Sequence, residues 1–339
     1  MVSPAAPEGV DGIRDYTVRL CQALSAAGAE VHDLATRFPS RRPGVSELVA
    51  LRRLVAALQP CVVHVQHPSA YRFNFAPQAL SLLGRGVVTV HEASVHGRLL
   101  GRLKLAPYAL RSHRLIFTSD YERACARRWF PWLDGRSTTI PLAANVMGGA
   151  TPTARTVDVA YFGIIRPHKG IEDFLRLSEL ARAGGESWTV RLVGNAADWS
   201  SRYGALVGRR AREAGVQWLS GLDHDAAATA LAQARVAYLP FPDGASERRG
   251  SLLAAFENGL AVVTTVGNQT PGDIRNAVAV ARSPQEGLHV TRRLLNDDGE
   301  RSRLSEAGRA FAAARPSWSQ IAERHMELYR SIGLPGRSR

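Results

Sequence analysis

The chain has 339 residues, 45% of them apolar and 22% charged, which is enough for two domains with real cores and argues against disorder. No apolar run reaches the roughly 18 residues of a membrane span, and the opening Met1-Val2-Ser3-Pro4 lacks the basic-then-apolar layout of a signal peptide. The formal net charge of +13 suits anionic partners or an arginine-rich solvated surface, but no recognition helix, zinc spacing or aromatic-basic motif points to nucleic acid.

Helical periodicity starts at Gly12 and runs through Tyr16, Val18, Leu20 and Leu24, with Gly28 as its stop. A strand is expected over 30–35, a helix over 45–58 and a strand over 61–66. A helix near 76–83 leads to a strand over 86–91. A helical stretch over 99–111 leads to a strand over 114–119. A helix over 121–130 and a strand over 137–142 close the first half. Short apolar runs separated by amphipathic helices mean βαβ units and a parallel sheet. A doubly wound domain opens with a central strand, yet only Met1-Val2-Ser3 precedes the first helix. The first strand is therefore expected to be missing or truncated.

Residues 145–155 are small, turn-forming and aperiodic, and are the expected linker. They divide the chain into domains over 1–148 and 149–316, with a terminal helix over 317–339. After the linker the pattern restarts. Strands are expected over 157–163, 188–194, 216–219, 236–240, 260–265 and 277–281, and helices near 300–314 and 318–332. Cys21, Cys61 and Cys125 are few, odd in number and set in apolar periodic contexts. They are expected to be buried free thiols in a reducing cytoplasm.

The most informative stretch lies between the apolar runs at 236–240 and 260–265. It carries Asp243-Gly244-Ala245-Ser246-Glu247-Arg248-Arg249-Gly250-Ser251-Leu252, a charged, glycine-bearing loop entering a short helix. Such a loop offers backbone N–H groups and a helix N-terminus to a phosphate or a sugar. Arg166 and Lys169 sit between a strand end and a helix start, which places them at the carboxyl edge of a parallel sheet. There they either neutralise a leaving diphosphate or decorate a solvated first turn. His91 ends an apolar strand, as a capping or core residue or as a substrate contact. His64 and His67 flank another strand end, with core positions and an acceptor pocket both open. No His, Cys and carboxylate group has metal-site spacing. Between Arg98 and Arg136 lie Arg102, Lys104, Arg111, Arg114, Arg123, Arg127 and Arg128. That run suits phospholipid head groups or sugar diphosphates, or it is simply solvated.

The order of motifs resembles the retaining GT-B glycosyltransferases of family 4 over almost the whole chain. It begins with Gly12-Ile13-Arg14-Asp15-Tyr16-Thr17. It continues through Val88-Thr89-Val90-His91-Glu92, Phe117-Thr118-Ser119 and Ile140-Pro141-Leu142. The second half adds Phe162-Gly163-Ile164-Ile165-Arg166-Pro167-His168-Lys169-Gly170, Leu192-Val193-Gly194, the loop at Asp243 and the helix from Trp318 to Tyr329.

The resemblance implies an α/β protein with two Rossmann-like doubly wound domains facing a central cleft, and a last helix crossing back to the first. It implies transfer of a sugar, with retention, from a nucleotide-diphosphate sugar to an unidentified glycan, lipid-linked glycan or secondary metabolite. No metal or other cofactor is expected. The setting implied is cytoplasmic, with peripheral association at an anionic membrane as a further expectation. Arg166 and Lys169 would meet the diphosphate and His91 the donor sugar. Gly12, Gly163, Gly194, Ser246, Glu247, Arg249, Gly250, Ser251, Leu252 and Glu257 would line the substrate.

The chain also departs from the family. Ile164 and Ile165 separate the glycine from Arg166, where the commoner spacing has none. The family's two glutamates, eight positions apart, are replaced by Ser246 and Ala254. Glu247 and Glu257 are the nearest substitutes. The loss suggests that donor hydroxyls are read differently, as for a modified or deoxygenated sugar. A nucleotide-sugar epimerase and an inactive nucleotide-sugar-binding protein are the alternatives.

Overall fold

The computed structural model describes residues 1–3, 12–34, 45–59, 62–67, 86–93, 97–111, 114–148, 154–196 and 202–332. In chain order the elements begin with α1 (Gly12–Ala26), α2 (Val45–Leu58), β1 (Val63–His67), β2 (Gly86–Val90), α3 (Gly97–Arg111), β3 (Arg114–Phe117), α4 (Asp120–Trp129) and β4 (Ser137–Thr139). Then come β5 (Val157–Phe162), α5 (Ile171–Ala183), β6 (Val190–Val193), α6 (Arg202–Glu213), β7 (Val216–Leu219), α7 (His224–Ala232), β8 (Ala234–Leu239) and α8 (Gly250–Glu257). The last are β9 (Ala261–Thr264), α9 (Gly272–Asn276), β10 (Val278–Val280), α10 (Pro284–Asn296), α11 (Asp298–Ala313) and α12 (Trp318–Ser331).

The chain forms two compact units. The first comprises Met1–Pro7, Gly12–Leu142 and Pro316–Arg339, and the second Glu8–Asp11 and Ala143–Arg315. The helix expected near 76–83, Cys61 and positions 149–153 of the linker lie outside the described residues.

The first unit holds a parallel sheet in the order β1-β2-β3-β4. β2 is buried along its whole length, which explains its unbroken apolar run. Val2 forms a single parallel bridge with Val65, with Val2 N–H on the His64 carbonyl and Gln66 N–H on the Val2 carbonyl, both at 2.8 Å. The strand expected over 30–35 does not form in its described part, residues 30–34. Leu34 N–H does reach the Met1 carbonyl at 3.0 Å, without a ladder among the described residues. Ser119 caps α4 by accepting from Glu122 N–H, and Ser317 with Gln320 closes a capping box at the start of α12. Tyr16 of α1 meets Trp318 of α12 with ring centroids 5.4 Å apart.

The second unit holds a six-stranded parallel sheet in the order β10-β9-β8-β5-β6-β7. Chain order therefore reverses between β5 and β8, and ligands bind doubly wound sheets outside the carboxyl ends of the strands at such a point. One apolar core fills this unit, built on Val159, Phe174, Leu192, Val236, Leu239 and Phe256. Gly194 and Gly163 carry the backbone past one another at the carboxyl edge. A Cβ on Gly194 would stand 1.9 Å from the Gly163 carbonyl oxygen, so no larger residue fits without moving the strand end.

Cys21 and Cys125 are free thiols, as expected, but half-buried rather than buried. Burial raises the pKa of Cys21 to about 11.

Candidate functional site

The loops after β5 and β8 meet at the switch point. β5 is prolonged by a bridge between Ile165 and Ala196, with Ile165 N–H on the Asn195 carbonyl at 2.9 Å. Ile165 is buried and Arg166, the next residue, is exposed. The two isoleucines that intervene before Arg166 thus extend the strand and deliver the guanidinium at its very end. The turn that follows holds His168 in the left-handed region, at φ 63, and Gly170 at φ 80. Tyr161 donates its hydroxyl to the Lys169 carbonyl at 2.9 Å, which fixes that turn from below. A Cβ on Gly170 would lie 2.0 Å from the Pro240 carbonyl oxygen, so the β5 and β8 loops touch backbone to backbone.

The β8 loop is tied down by hydrogen bonds and ion pairs. Ala245 N–H bonds the Thr265 carbonyl at 2.9 Å, and Thr270 Oγ1 donates to the Ala245 carbonyl at 2.5 Å. Arg248 donates to Gln269 Oε1 at 3.0 and 3.2 Å and to Asp243 at 3.4 Å. Arg249 pairs with Asp243 and lies over the Phe241 ring, 4.9 Å from its centroid. The cationic charge of both Arg249 and Arg166 acts on the Tyr161 phenol, although burial dominates and raises its pKa. That shared neighbour brings the two arginines of different loops to one locality.

Ser246 is 4% exposed, and its Oγ has no hydrogen-bond partner. A buried hydroxyl without a partner costs free energy unless a ligand completes it. Arg249, at the N-cap of α8, has no acceptor to offer. Leu252 and Leu253 N–H groups bond the Arg249 carbonyl, which leaves Gly250 and Ser251 as the helix's first donors for an anion. No acid stands in the first turn of α8, whereas Glu172 and Asp173 stand in that of α5. The N-terminus of α8 is therefore the better anion site.

Not every expected residue joins this group. Leu252 is fully buried in the apolar core, so only its backbone faces the loop. Glu247 pairs with Arg315 at 2.8 Å and is half-buried in that contact. Glu257 sits at the far end of α8, where its carboxyl takes the Gly148 N–H and burial raises its pKa. Its neighbour Asn258 accepts from Arg155, which also bonds the Ala234 carbonyl at the start of β8. Glu257 thus belongs to the amino edge of the sheet. It cannot stand in for the second family glutamate, because the helix carries it away from the loop. Gln269 and Tyr161 organise the site but escape sequence reading, whereas Asp243 heads the loop that the sequence singles out.

Gly12 and His91 belong to the first unit. Gly12 is the exposed first residue of α1, and a Cβ there would meet nothing within 4 Å. His91 follows β2 and is 8% exposed. Its Nε2 faces Gln66 Oε1 at 2.9 Å and Tyr16 lies edge-on at 5.0 Å. Burial lowers its pKa to about 4, so it is neutral at pH 7. With Nε2 donating to Gln66, Nδ1 is left to accept from a substrate hydroxyl. Gln66 in turn points its amide at His64 Nε2, 3.4 Å away, which agrees with that orientation. His64 and His67 are both buried, His64 bonding Tyr329 and Thr89 at 2.6 and 2.8 Å and His67 packing on Tyr108 at 4.9 Å. These two are core histidines.

No protein-family model and no curated protein sequence matches the chain. Solved structures do. Sucrose-phosphate synthase from Thermosynechococcus elongatus superposes with a TM-score of 0.74 at 18% identity, over 98% of both chains. WaaG, a glycosyltransferase involved in lipopolysaccharide biosynthesis, gives 0.67 at 15% identity, over 99% of this chain and 100% of the other. Anabaena HepE, solved with UDP and glucose, gives 0.69 at 14% identity, over 97% of this chain and 99% of the other. At these identities the likeness establishes architecture: the chain has the α/β fold, with two parallel sheets, of the GT-B glycosyltransferases.

Proposed function

We propose that the protein is a retaining glycosyltransferase of the family 4 kind that takes its sugar from a nucleotide-diphosphate donor. The observation that carries this reading is the convergence at the β5/β8 switch point. There the loop that carries Arg166 and Lys169 touches, at Gly170 and Pro240, the loop that carries Arg249, the unpartnered Ser246 hydroxyl and the open N-terminus of α8. HepE, solved with UDP and glucose on the same fold, supports a nucleotide-sugar donor.

In this reading the two arginines and Lys169 hold the diphosphate, while the Gly250 and Ser251 N–H groups take its oxygens. The bond from the anomeric carbon to the diphosphate oxygen breaks as the acceptor oxygen bonds the same face, and the acceptor proton passes to the departing phosphate. Positive groups placed beforehand stabilise the charge that develops on the leaving oxygen. The loop's own carboxylates are engaged, Asp243 by Arg248 and Arg249 and Glu247 by Arg315, which supports a mechanism without a carboxylate nucleophile. No metal is required, because the cationic side chains do its work. His91, neutral with Nδ1 as acceptor, would bind a substrate hydroxyl.

A thermal-shift screen of UDP-, GDP-, ADP- and TDP-sugars tests the reading, since a ligand of the native form raises the melting temperature. The donor that does so is then given to candidate acceptors and the anomeric configuration of the product read by NMR. No shift with any nucleotide sugar would refute the reading. Binding without transfer to any acceptor would favour a binding protein, and conversion of the donor alone an epimerase.

A further inference from the structure

We infer that Tyr329, His64 and Gln66 are positioning residues: as a relay they hold His91 with its proton on Nε2, and so set which substrate group that ring can take. The meeting of His91 with substrate rests on the reaction proposed above, whereas the place of its proton does not.

All four side chains lie in the first unit, on α12, on β1 and just past β2, and all are buried. They touch in series. The Tyr329 hydroxyl stands 2.6 Å from His64 Nδ1. His64 Nε2 is 2.8 Å from Thr89 Oγ1 and 3.4 Å from Gln66 Nε2. Gln66 Oε1 is 2.9 Å from His91 Nε2.

One further contact gives the series its direction. The Gln66 amide nitrogen also donates to Met1 Sδ, at 3.4 Å. A thioether accepts and has no proton to give. The amide nitrogen therefore lies towards Met1 and His64, and the amide oxygen towards His91. An amide nitrogen only donates, so His64 Nε2 is bare and takes the Thr89 hydroxyl proton as well. The His64 proton is then on Nδ1 and goes to the Tyr329 oxygen. At the other end the amide oxygen only accepts, so His91 carries its proton on Nε2. His325 stacks on the His64 ring at 5.6 Å and bonds the Ile321 carbonyl through its own Nδ1, which leaves both His64 nitrogens to the relay.

Reversing one member reverses the rest. With the His64 proton on Nε2, the Gln66 amide must turn its oxygen to that ring and its nitrogen to His91. His91 Nε2 must then accept, and the His91 proton moves to Nδ1. Each ring keeps one proton, so the charge does not change. The substrate preference does: a bare Nδ1 takes a hydroxyl proton and repels a carboxylate, whereas Nδ1–H takes a carboxylate. The arrangement present thus selects a sugar hydroxyl over the carboxylate of a uronic acid.

The test reads the ring protons in the free full chain, by two-dimensional 15N NMR of the histidine rings at pH 7, assigned with His64→Gln and His91→Gln. In the parent, His91 Nδ1 should resonate as a bare imidazole nitrogen and Nε2 as an N–H. Tyr329→Phe removes the oxygen that takes the His64 proton. A buried N–H without an acceptor is rarer than a buried acceptor without a donor, so the His64 proton should move to Nε2 and the His91 proton, at the far end of the relay, to Nδ1. Gln66→Leu cuts the relay and should leave His91 as a mixture of both forms, with Tyr329→Phe adding no further change in that background. Tyr108→Phe, which removes a buried hydroxyl outside the relay, should alter neither ring. A parent His91 protonated on Nδ1, or a His91 ring that keeps its parent form in either Tyr329→Phe or Gln66→Leu, would overturn the inference. So would an equal change in Tyr108→Phe. Rings that respond as expected in a chain whose melting temperature no nucleotide sugar raises would refute the reaction and leave the relay standing.

Discussion

The two units bury different chemistry. Among the described residues, the first unit buries His64, Gln66, His67, His91, Lys104, Glu122 and His325, whereas the buried polar residues of the second are Ser178, Ser246, Asn258, Thr264, Thr270 and Thr291. The first therefore holds titratable groups in its core, tied by hydrogen bonds. The second keeps a neutral core and places its charges on the loops at one edge of its sheet. Proton uptake should thus govern the stability of the first unit, and loop charges the chemistry of the second.

The largest effect should come from acid. Burial lowers the pKa of both His91 and His325 from 6.5 to about 4, and lowers that of His64 further, with His325 as a secondary cause. His325 donates Nδ1–H to the Ile321 carbonyl at 2.7 Å, while its Nε2 is buried without a partner. The unfolded chain takes up protons on these rings near pH 6.5 and the folded one refuses them until about pH 4. Stability is complete above 6.5 and falls as the pH drops between those values. For His91 and His325 the loss is on the order of 3 kcal/mol each. Hydrogen exchange should show the amides of β2 losing protection across that window while those of β8 keep theirs. Parallel loss in both sheets would break the comparison.

Loop charge comes next. Arg166→Ala and Lys169→Ala should each reduce transfer by about a hundredfold or more, the scale of one donor removed from a developing oxyanion. Arg166→Ala should leave the melting temperature of the free protein unchanged, because Arg166 is exposed. Near-normal turnover in both variants would take these residues out of the site. Gly194→Ala should destabilise the second unit by about 2–3 kcal/mol, because the added methyl collides with the Gly163 carbonyl. Its signature is a lower unfolding midpoint in urea with β8 exchanging early and β2 unaffected.

The sequence was most legible where the core is neutral. All six strands expected after the linker are present, within two residues at each end, because runs such as Val157–Phe162 and Ala261–Thr264 are apolar on both faces. The first unit was harder to read. Residues 30–34 have strand-like residues, yet their described bonds to Met1, from Leu34 N–H to its carbonyl and from its amino group to the His32 carbonyl, make no ladder, and pairing, not propensity, makes a strand. Lys104 looked like part of a basic face, yet it is 3% exposed, since helix phase decides which side of α3 it takes. Arg166 and Lys169 were picked out by the strand-to-helix junction together with the family resemblance. The ion pair that engages Glu247 was not, because Arg315 is distant in sequence and no periodicity links it to the loop.

The smallest effect is expected at Glu257, and it separates two ways of reading α8. Counting along the chain, this carboxylate lies one helical turn past the position where the family holds the nucleotide ribose. Counting in space, the helix starts at the β8 loop with Gly250 and has run to the opposite edge of the sheet by Glu257, where Gly148 N–H meets the carboxyl. Gly148 itself is so close that a Cβ would stand 2.4 Å from the Glu257 carbonyl oxygen. Glu257→Gln keeps the acceptor for Gly148 and removes only the charge. Donor affinity by calorimetry should then change by less than about twofold, within the range of a distant surface substitution. Ser246→Ala, at the loop itself, removes the unpartnered hydroxyl and should weaken the donor by about fivefold to tenfold, the worth of one hydrogen bond. A larger loss at Glu257 than at Ser246 would mean that the amino edge, not the switch point, reads the nucleotide.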